Sequence, residues 1–286
     1  MLKKVFLIIL CLWRTKQVQI CEALGLEKRT FISLVGAGGK STLFSRLAEE
    51  LLLKNKRIIL TTTTKMFAWQ LAPFIKKGKL VEGHDEETIR KYIKKYFSVE
   101  SKVGRLAVIG EKIEDSGEEK VSGPPPDWLD KWWEDKLADY FLVEADGAAG
   151  RPVKAPAFHE PVIPLSTTDL VGVIGIDALG LSLQEENVFR SQIFSRLTGL
   201  NLGEKIGIEA LSLLICHPEG LFKGAPPGCR RHLFINKVED SKDQKKAEEL
   251  AFQVLRICHR RISGIIMGAA NQDEVVAELI KEEKTL

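Results

Sequence analysis

Between residues 29 and 64 the hydrophobic period of the chain changes twice. RTFISLV, ending at Val35, is a continuous apolar run; STLFSRLAEELLLK then sets Leu43, Leu47 and Leu51 on one helical stripe; RIILTTTT, Arg57 to Thr64, is apolar and β-rich again. A strand, a helix and a second strand are predicted. The alternation continues with a charged helix from about Asp85 to Tyr96 and strands at Leu106–Gly110, Tyr140–Val143 and within DLVGVIGIDALG. Helices around Glu185–Arg196 and Glu204–Ile215, the strand HLFINK, a charged helix over about Ser241–Arg260, the strand SGIIMGAA and a terminal helix complete it. Strands and helices in turn predict an α/β fold, a mainly parallel sheet with helices on both faces. EDSGEEKVSGPPP interrupts the pattern and reads as a loop, either a lid or a surface connector. It is followed by an aromatic helix whose Trp128, Trp132 and Trp133 are expected to pack against the sheet.

Composition narrows the function classes. The 286 residues are 44% hydrophobic and 28% charged, ordinary for a globular protein, and 42 basic against 39 acidic residues give a net charge of only +3. So even a balance predicts no nucleic-acid partner. The longest apolar run, Val5 to Trp13, is about half of what spans a bilayer. It follows Lys3 and Lys4 as a secretory signal would, but RTKQVQICEA offers no small-residue cleavage site, so neither a membrane segment nor a signal is expected. Residues 1–21 read as an N-terminal extension, helical or an over-long start, and 22–286 as a single domain with loop insertions. The five cysteines form no C-x-x-C pair, which predicts neither a disulfide framework nor a zinc site and fits a cytoplasmic protein. Cys216, His217, Cys229 and His232 do not suit zinc either, because the adjacent Cys216 and His217 could scarcely chelate one ion.

VGAGGKST, Val35 to Thr42, carries the chemistry. Gly36, Ala37, Gly38 and Gly39 bring backbone N–H groups close to phosphate oxygens, and the helix after them presents its positive N-terminus. Lys40 would bind β- and γ-phosphates, Ser41 would place a hydroxyl on Mg²⁺, and Thr42 would add a phosphate contact. Leu34 stands where a full G-x-x-x-x-G-K-S would begin with glycine; the compact G-x-x-G-K-S that remains is similar to the loop of the Mur ligases. The expected fold is therefore P-loop NTPase-like, with ATP or GTP as the nucleotide. Such a site needs an acid at a neighbouring strand end, and FLVEADG supplies two: Asp146 is assigned to the metal and Glu144 to activating water or substrate. FINKVED resembles a guanine-reading N-K-x-D, with Asn236 and Lys237 in register but Glu239 at the acid position and Asp240 one step late. Guanine recognition and a strand-end cap on the next helix both stay open. Thr62, Thr63, Thr64 and Lys65 end the second strand beside the expected ligand crevice. Arg151, Lys154, His159 and Glu160 follow the acids on a loop that would suit an anionic second substrate.

ISLVGAGGKSTLFSRLAEEL, ILTTTTKMF, VEADGAAGRPVKAPAFHEPVIP, GLFKGAPPG and FINKVED, in this order, resemble the YqeC family. Its members are described as selenium-dependent hydroxylase accessory, or selenium cofactor biosynthesis, proteins. The resemblance covers nearly all of the chain after about residue 22, with Ser41 where the family more often has threonine. It implies a role in maturing molybdenum hydroxylases that carry a labile selenium cofactor, with such a hydroxylase as partner and a molybdopterin-type or other anionic substrate. Three activities are compatible with it: NTP hydrolysis or phosphoryl or nucleotidyl transfer, a nucleotide-gated chaperone that delivers a cofactor, and a Mur-like ligase.

Overall fold

A computed structural model describes residues 16–26, 29–99, 104–258, 261–272 and 275–277. The apolar run from Val5 to Trp13 lies outside them. Among the described residues eight strands build the main sheet: β1 (Thr30–Gly36), β2 (Arg57–Thr62), β3 (Lys79–Val81), β4 (Arg105–Ile109), β5 (Tyr140–Glu144), β6 (Asp169–Gly175), β7 (Arg230–Asn236) and β8 (Gly264–Met267). They lie in the order β8-β7-β6-β1-β5-β2-β4-β3, and every neighbouring pair is parallel. All residues of β1, β5 and β6 are buried, as unbroken apolar runs covered on both faces must be. The expected α/β architecture is borne out.

Among the described residues seven helices cover the sheet: α1 (Lys40–Leu53), α2 (Ala68–Lys77), α3 (Glu86–Ser98), α4 (Pro126–Glu134), α5 (Ser191–Thr198), α6 (Ile208–Cys216) and α7 (Ser241–Cys258). Alternate strand residues face opposite layers. Ile32, Leu34 and Leu142 pack with Leu43, Leu47 and Phe74 of α1 and α2. On the other face Phe31, Phe141 and Val143 meet Ile89 and Trp132 of α3 and α4, and Leu170, Ile174 and Leu233 meet Leu211, Leu214 and Leu250 of α6 and α7. The tryptophans of the aromatic helix pack where the sequence put them.

Several segments depart from the hydrophobic pattern. The edge strand β3 has no counterpart in it. Within the helix expected around Glu185–Arg196, the pair Val188–Phe189 forms a short strand with Val153–Lys154, and the helix starts only at Ser191. EDSGEEKVS is no simple loop: Glu111–Asp115 and Glu118–Ser122 form a hairpin, closed by Ser116 and Gly117 at φ of 58° and 77° and extended by Lys65–Phe67. Two positive φ angles at a two-residue turn match the twist of the strands it joins. The α2 helix escapes periodicity because it is short, contains Pro73 and buries only Leu71 and Phe74. Val275–Ala277, in the expected terminal helix, pairs instead as a strand with Lys16–Val18; the remainder of that helix lies outside the described residues. Cys216 and Cys258, 42 positions apart, meet at the adjoining ends of α6 and α7 in a disulfide that linear spacing does not signal. No helix among the described residues is long and apolar enough to cross a membrane.

The segment from Gln19 to Leu24 is fixed to α1. Buried Glu50 accepts from the Ile20 and Cys21 amides at 3.2 and 2.8 Å, which opens the one-turn helix Ile20–Ala23, and pairs with Arg46 at 2.9 Å. Ile20, Cys21 and Leu24 enter the core beside Leu47 and Leu51. Glu50→Ala would strand two buried amides, so the unfolding free energy should fall by about 3 kcal/mol in urea titrations. A fall below about 0.5 kcal/mol would mean that the carboxylate does not hold this segment.

Candidate functional site

β1 is central, with β5 on one side and β6 on the other. From β1 the chain passes through α1 to β2, beyond β5; from β5 it returns across β1 to β6. This reversal opens a crevice at the carboxyl ends of the strands, the usual ligand position in an open α/β sheet. Gly36, Glu144, Gly175 and Asn236 all stand at those ends.

The glycine loop spans β1 and α1. Gly38 has a φ of +83°, and a Cβ there would lie 2.1 Å from the Gly175 amide nitrogen and 2.6 Å from the Pro152 carbonyl, so no side chain is accommodated. Gly39, also left-handed, opens α1 without a side-chain cap. The Ala37 and Gly38 amides donate to Val173 O and Arg151 O at 3.0 and 3.1 Å, which seats the first half of the loop on the protein. The first helical amide to find an acceptor is that of Leu43, on Gly39 O at 3.0 Å. The amides of Lys40, Ser41 and Thr42 precede it, as the unpaired donors of a helix start.

A cavity of about 570 Å³, within the size range of small-molecule sites, lies over these amides. Ala37 to Thr42 form one wall and Gly147 to Arg151 another. Its charged lining is Lys40, Lys65, Lys120, Arg151 and Lys237 against a single carboxylate, Glu144. Lys40, Lys65, Lys120 and Lys237 are ion-paired with Asp146, Asp115 and Asp177 behind this lining. The groups that face the cavity are nonetheless mainly cationic and favour an anionic ligand.

Beneath the loop runs a chain of alternating charges. Buried Lys40 donates to Gly36 O at 2.7 Å and pairs with Asp146 at 3.1 Å. Asp146 also accepts from the Gly36 amide at 3.1 Å and pairs with Lys154 at 3.1 Å. Lys154, only 2% exposed, gives its remaining donors to Gly147 O and Glu160, each at 2.6 Å, and Arg190 closes the chain on Glu160 Oε1 at 2.9 Å. Burial pulls the Lys40 ammonium down, but Asp146 and then Glu144 outweigh it and hold its pKa above the ordinary 10.5. Glu144 differs: burial raises its carboxyl above 4.5, Asp146 adds to this, and the opposing pull of Lys40, Lys154 and Ser41 does not cancel it. Its Oε2 is buried without a hydrogen-bond partner, as is Asp146 Oδ1 beside its ion pair with Lys40, but Glu144 lines the cavity and Asp146 does not.

The remaining sequence candidates divide. Ser41 and Thr42 line the cavity, and Gln70 donates to the Ser41 hydroxyl at 2.6 Å while accepting from the Phe67 amide at 3.2 Å. Thr62 and Thr63 give their hydroxyls to Glu144 O and Val162 O at 2.7 and 2.6 Å, and Thr64 bonds to Thr62; these groups tie β2 to the loop after β5, and only Lys65 of this run reaches the cavity. Of the anion-loop candidates Arg151 alone lines the cavity. Lys154 is interior, Glu160 sits between Lys154 and Arg190, and His159 is exposed beside Phe158. Asn236 does not cap α7: it donates to Gly38 O at 2.8 Å and accepts from the Ala270 amide at 3.0 Å, clamping the glycine loop. Exposed Asp240 caps α7 through the Lys242 and Asp243 amides, both at 2.8 Å; Glu239 is exposed; and Lys237 pairs with Asp177 at 2.6 Å on the cavity rim. Sequence reasoning missed Gln70, Phe67, Trp69 and Lys120, whose elements it did not predict, and Arg190, which no motif singles out.

The model of the YqeC protein family matches residues 32–192, which contain the glycine loop, both acids and Arg190. The chain belongs to the YqeC family. The uncharacterized protein YqeC of Escherichia coli (strain K12) is 34% identical over 232 residues, covering 79% of this chain and 84% of that protein. Among solved structures, the hydrogenase maturation factor HypB from Archaeoglobus fulgidus is similar over 89% of this chain and 88% of its own, at 14% identity and a TM-score of 0.39.

The charge chain sets a pH dependence. Burial would raise Glu160, but hydrogen bonds from Arg190 and Lys154, with their charges, pull its pKa from 4.5 down to about 2. A carboxyl lower in the folded than in the unfolded chain stabilises fully above its unfolded value and loses that contribution as pH falls through the folded one. Glu160→Gln should therefore be less stable than the parent by on the order of 3 kcal/mol at pH 7, with the gap narrowing by roughly 2 kcal/mol at pH 3. Urea titrations at the two pH values measure this. An equal gap at both would show that the Glu160 charge is not what stabilises.

Proposed function

We propose that the chain is a Mg²⁺-dependent nucleotide-binding protein of P-loop type that hydrolyses ATP or GTP or transfers a phosphoryl or nucleotidyl group. The observation that carries this reading is a buried lysine and three unpaired helix amides converging on a cavity with five cations and one carboxylate. The amides of Lys40 to Thr42 receive phosphate oxygens. Lys40 leaves Asp146 for the β- and γ-phosphates, and Lys154 keeps the buried Asp146 neutralised when it does. Arg151, on the opposite wall, meets the charge that develops on the transferred group.

The oxygen donors fit a hard divalent cation. Mg²⁺ ordinarily takes one or two protein oxygens and completes its shell with phosphates and water. Among the described residues no three Asp, Glu, His or Cys side chains form a metal cluster. The Ser41 hydroxyl and the unpartnered Glu144 oxygen would hold the ion on the protein side, and Asp146 would anchor Lys40 and the loop. This exchanges the roles the sequence suggested for the two acids. It is supported by the position of Glu144 on the cavity and by the engagement of Asp146 with two lysines. When bound, the ion supplies neutralisation of phosphate charge. The resemblance to selenium cofactor proteins favours maturation of molybdenum hydroxylases as the setting.

Lys40→Ala should lower Mg²⁺-dependent NTP turnover by at least about a hundredfold, measured as phosphate or pyrophosphate release. Undiminished turnover in that variant would sink the assignment. Asn236→Ala should weaken ATP and GTP by similar factors in calorimetry, because Asn236 holds the loop. A loss confined to GTP would instead assign Asn236 to the guanine base.

A further inference from the structure

The cavity extends well beyond the glycine loop. Lys237 follows β7 and Phe67 follows β2, four strand positions away in the order β7-β6-β1-β5-β2, or about 19 Å across the sheet. The helix amides lie between them. A nucleotide with its phosphates over α1 can extend its base toward one flank only, which leaves the other free.

The β2 flank carries a stacked aromatic pair beside two lysines. Trp69, in the first turn of α2, is 70% exposed although that helix turns Leu71 and Phe74 into the core. Its indole stacks on Phe67, with ring centroids 6.1 Å apart and planes 18° apart. Lys120 of the hairpin stands 5.3 Å from the Phe67 ring centre. Lys65 and Lys120 share a single carboxylate oxygen, Asp115 Oδ2, at 3.3 and 3.1 Å, so two ammonium groups answer one anion. Phe67, Trp69, Lys65 and Lys120 all line the cavity, and Asp115 does not. Gln70 joins this platform to Ser41 of the glycine loop. An exposed, mutually stacked aromatic pair beside cations suits a flat ring by stacking and an acidic substituent by charge.

We propose that the Phe67–Trp69 flank is a second subsite, for a planar heteroaromatic ring carrying an anionic group, separate from the nucleotide and adjoining its phosphates. The subsite deepens the nucleotide reading above and rests on it. The ligand it admits is the acceptor or cargo on which the nucleotide acts. Lys65 and Lys120 meet its anionic group, and Trp69 covers its ring.

Flavin mononucleotide serves as the probe, since flavin fluorescence is quenched by stacking on tryptophan. The first titration establishes Mg-ADP or Mg-GDP binding to the parent; its failure would remove the nucleotide reading itself. With the nucleotide saturating, flavin mononucleotide should bind and be quenched, and riboflavin, which lacks the phosphate, should bind at least tenfold more weakly. Trp69→Ala should weaken the flavin probe about tenfold or more and leave Mg-nucleotide affinity within twofold. Lys120→Ala should lower the preference for flavin mononucleotide over riboflavin. The subsite is overturned if the loaded protein does not bind the probe or if Trp69→Ala leaves its binding unchanged. It is equally overturned if Trp69→Ala weakens the nucleotide tenfold, which would make the flank the seat of the nucleotide's own base.

Discussion

A lysine ammonium buried among apolar strands needs a counter-charge, and in this fold Asp146 supplies it to Lys40 and to Lys154 at once. Much of the site's architecture follows from that requirement. Asp146 must stand where β5 has just ended, within reach of the Gly36 amide, which fixes the start of the glycine loop against its neighbouring strand. Lys154 must be buried to meet it, which draws the chain after β5 back under the loop. Glu160 and Arg190 then carry the alternation outward to partly buried positions. Removing one member of such a chain costs more than the pair is worth, because the survivor is left buried and uncompensated. The segment from Glu144 to Glu160 is therefore held as a unit by electrostatics more than by secondary structure.

The same arrangement separates two carboxylates that are near neighbours in sequence. Asp146 is surrounded by cations and a backbone donor. Glu144, two residues earlier and on the cavity wall, retains an unpartnered oxygen and a carboxyl that burial holds above its usual range. One acid serves the scaffold and the other faces whatever enters. Hydroxyl groups of the threonine run, spent on Glu144 O and Val162 O, tie the end of β2 to the end of β5 and the loop after it.

Much of this was legible in the chain, for identifiable reasons. Continuous apolar runs become buried parallel strands, and the period of Leu43, Leu47 and Leu51 becomes the inner face of α1, because burial dictates both patterns. The glycine loop and the two acids announce themselves because their chemistry admits few residue types. The hairpin at 111–122 and the α2 helix were hidden, since one is charged on both sides of its turn and the other is short and carries an internal proline. With them went Phe67, Trp69, Gln70 and Lys120. The inward turn of Lys154 was equally hidden: a lysine in a proline-punctuated stretch reads as solvated until the carboxylates that receive it are placed in space. Asn236 was visible as a residue, but its partners are the loop near residue 38 and the turn at residue 270.

That last side chain has a consequence for the order in which the molecule can become competent. Its bond to Gly38 O spans 198 positions, and its second bond requires the turn that follows the last strand of the main sheet. Contacts of such separation are slow to form, because closing so long a stretch of chain costs entropy. The glycine loop, although encoded near the start of the protein, gains its Asn236 contact only where β7 and the turn after β8 are in place. A chain ending before β7 would possess every residue of the glycine loop and still lack the side chain that clamps it.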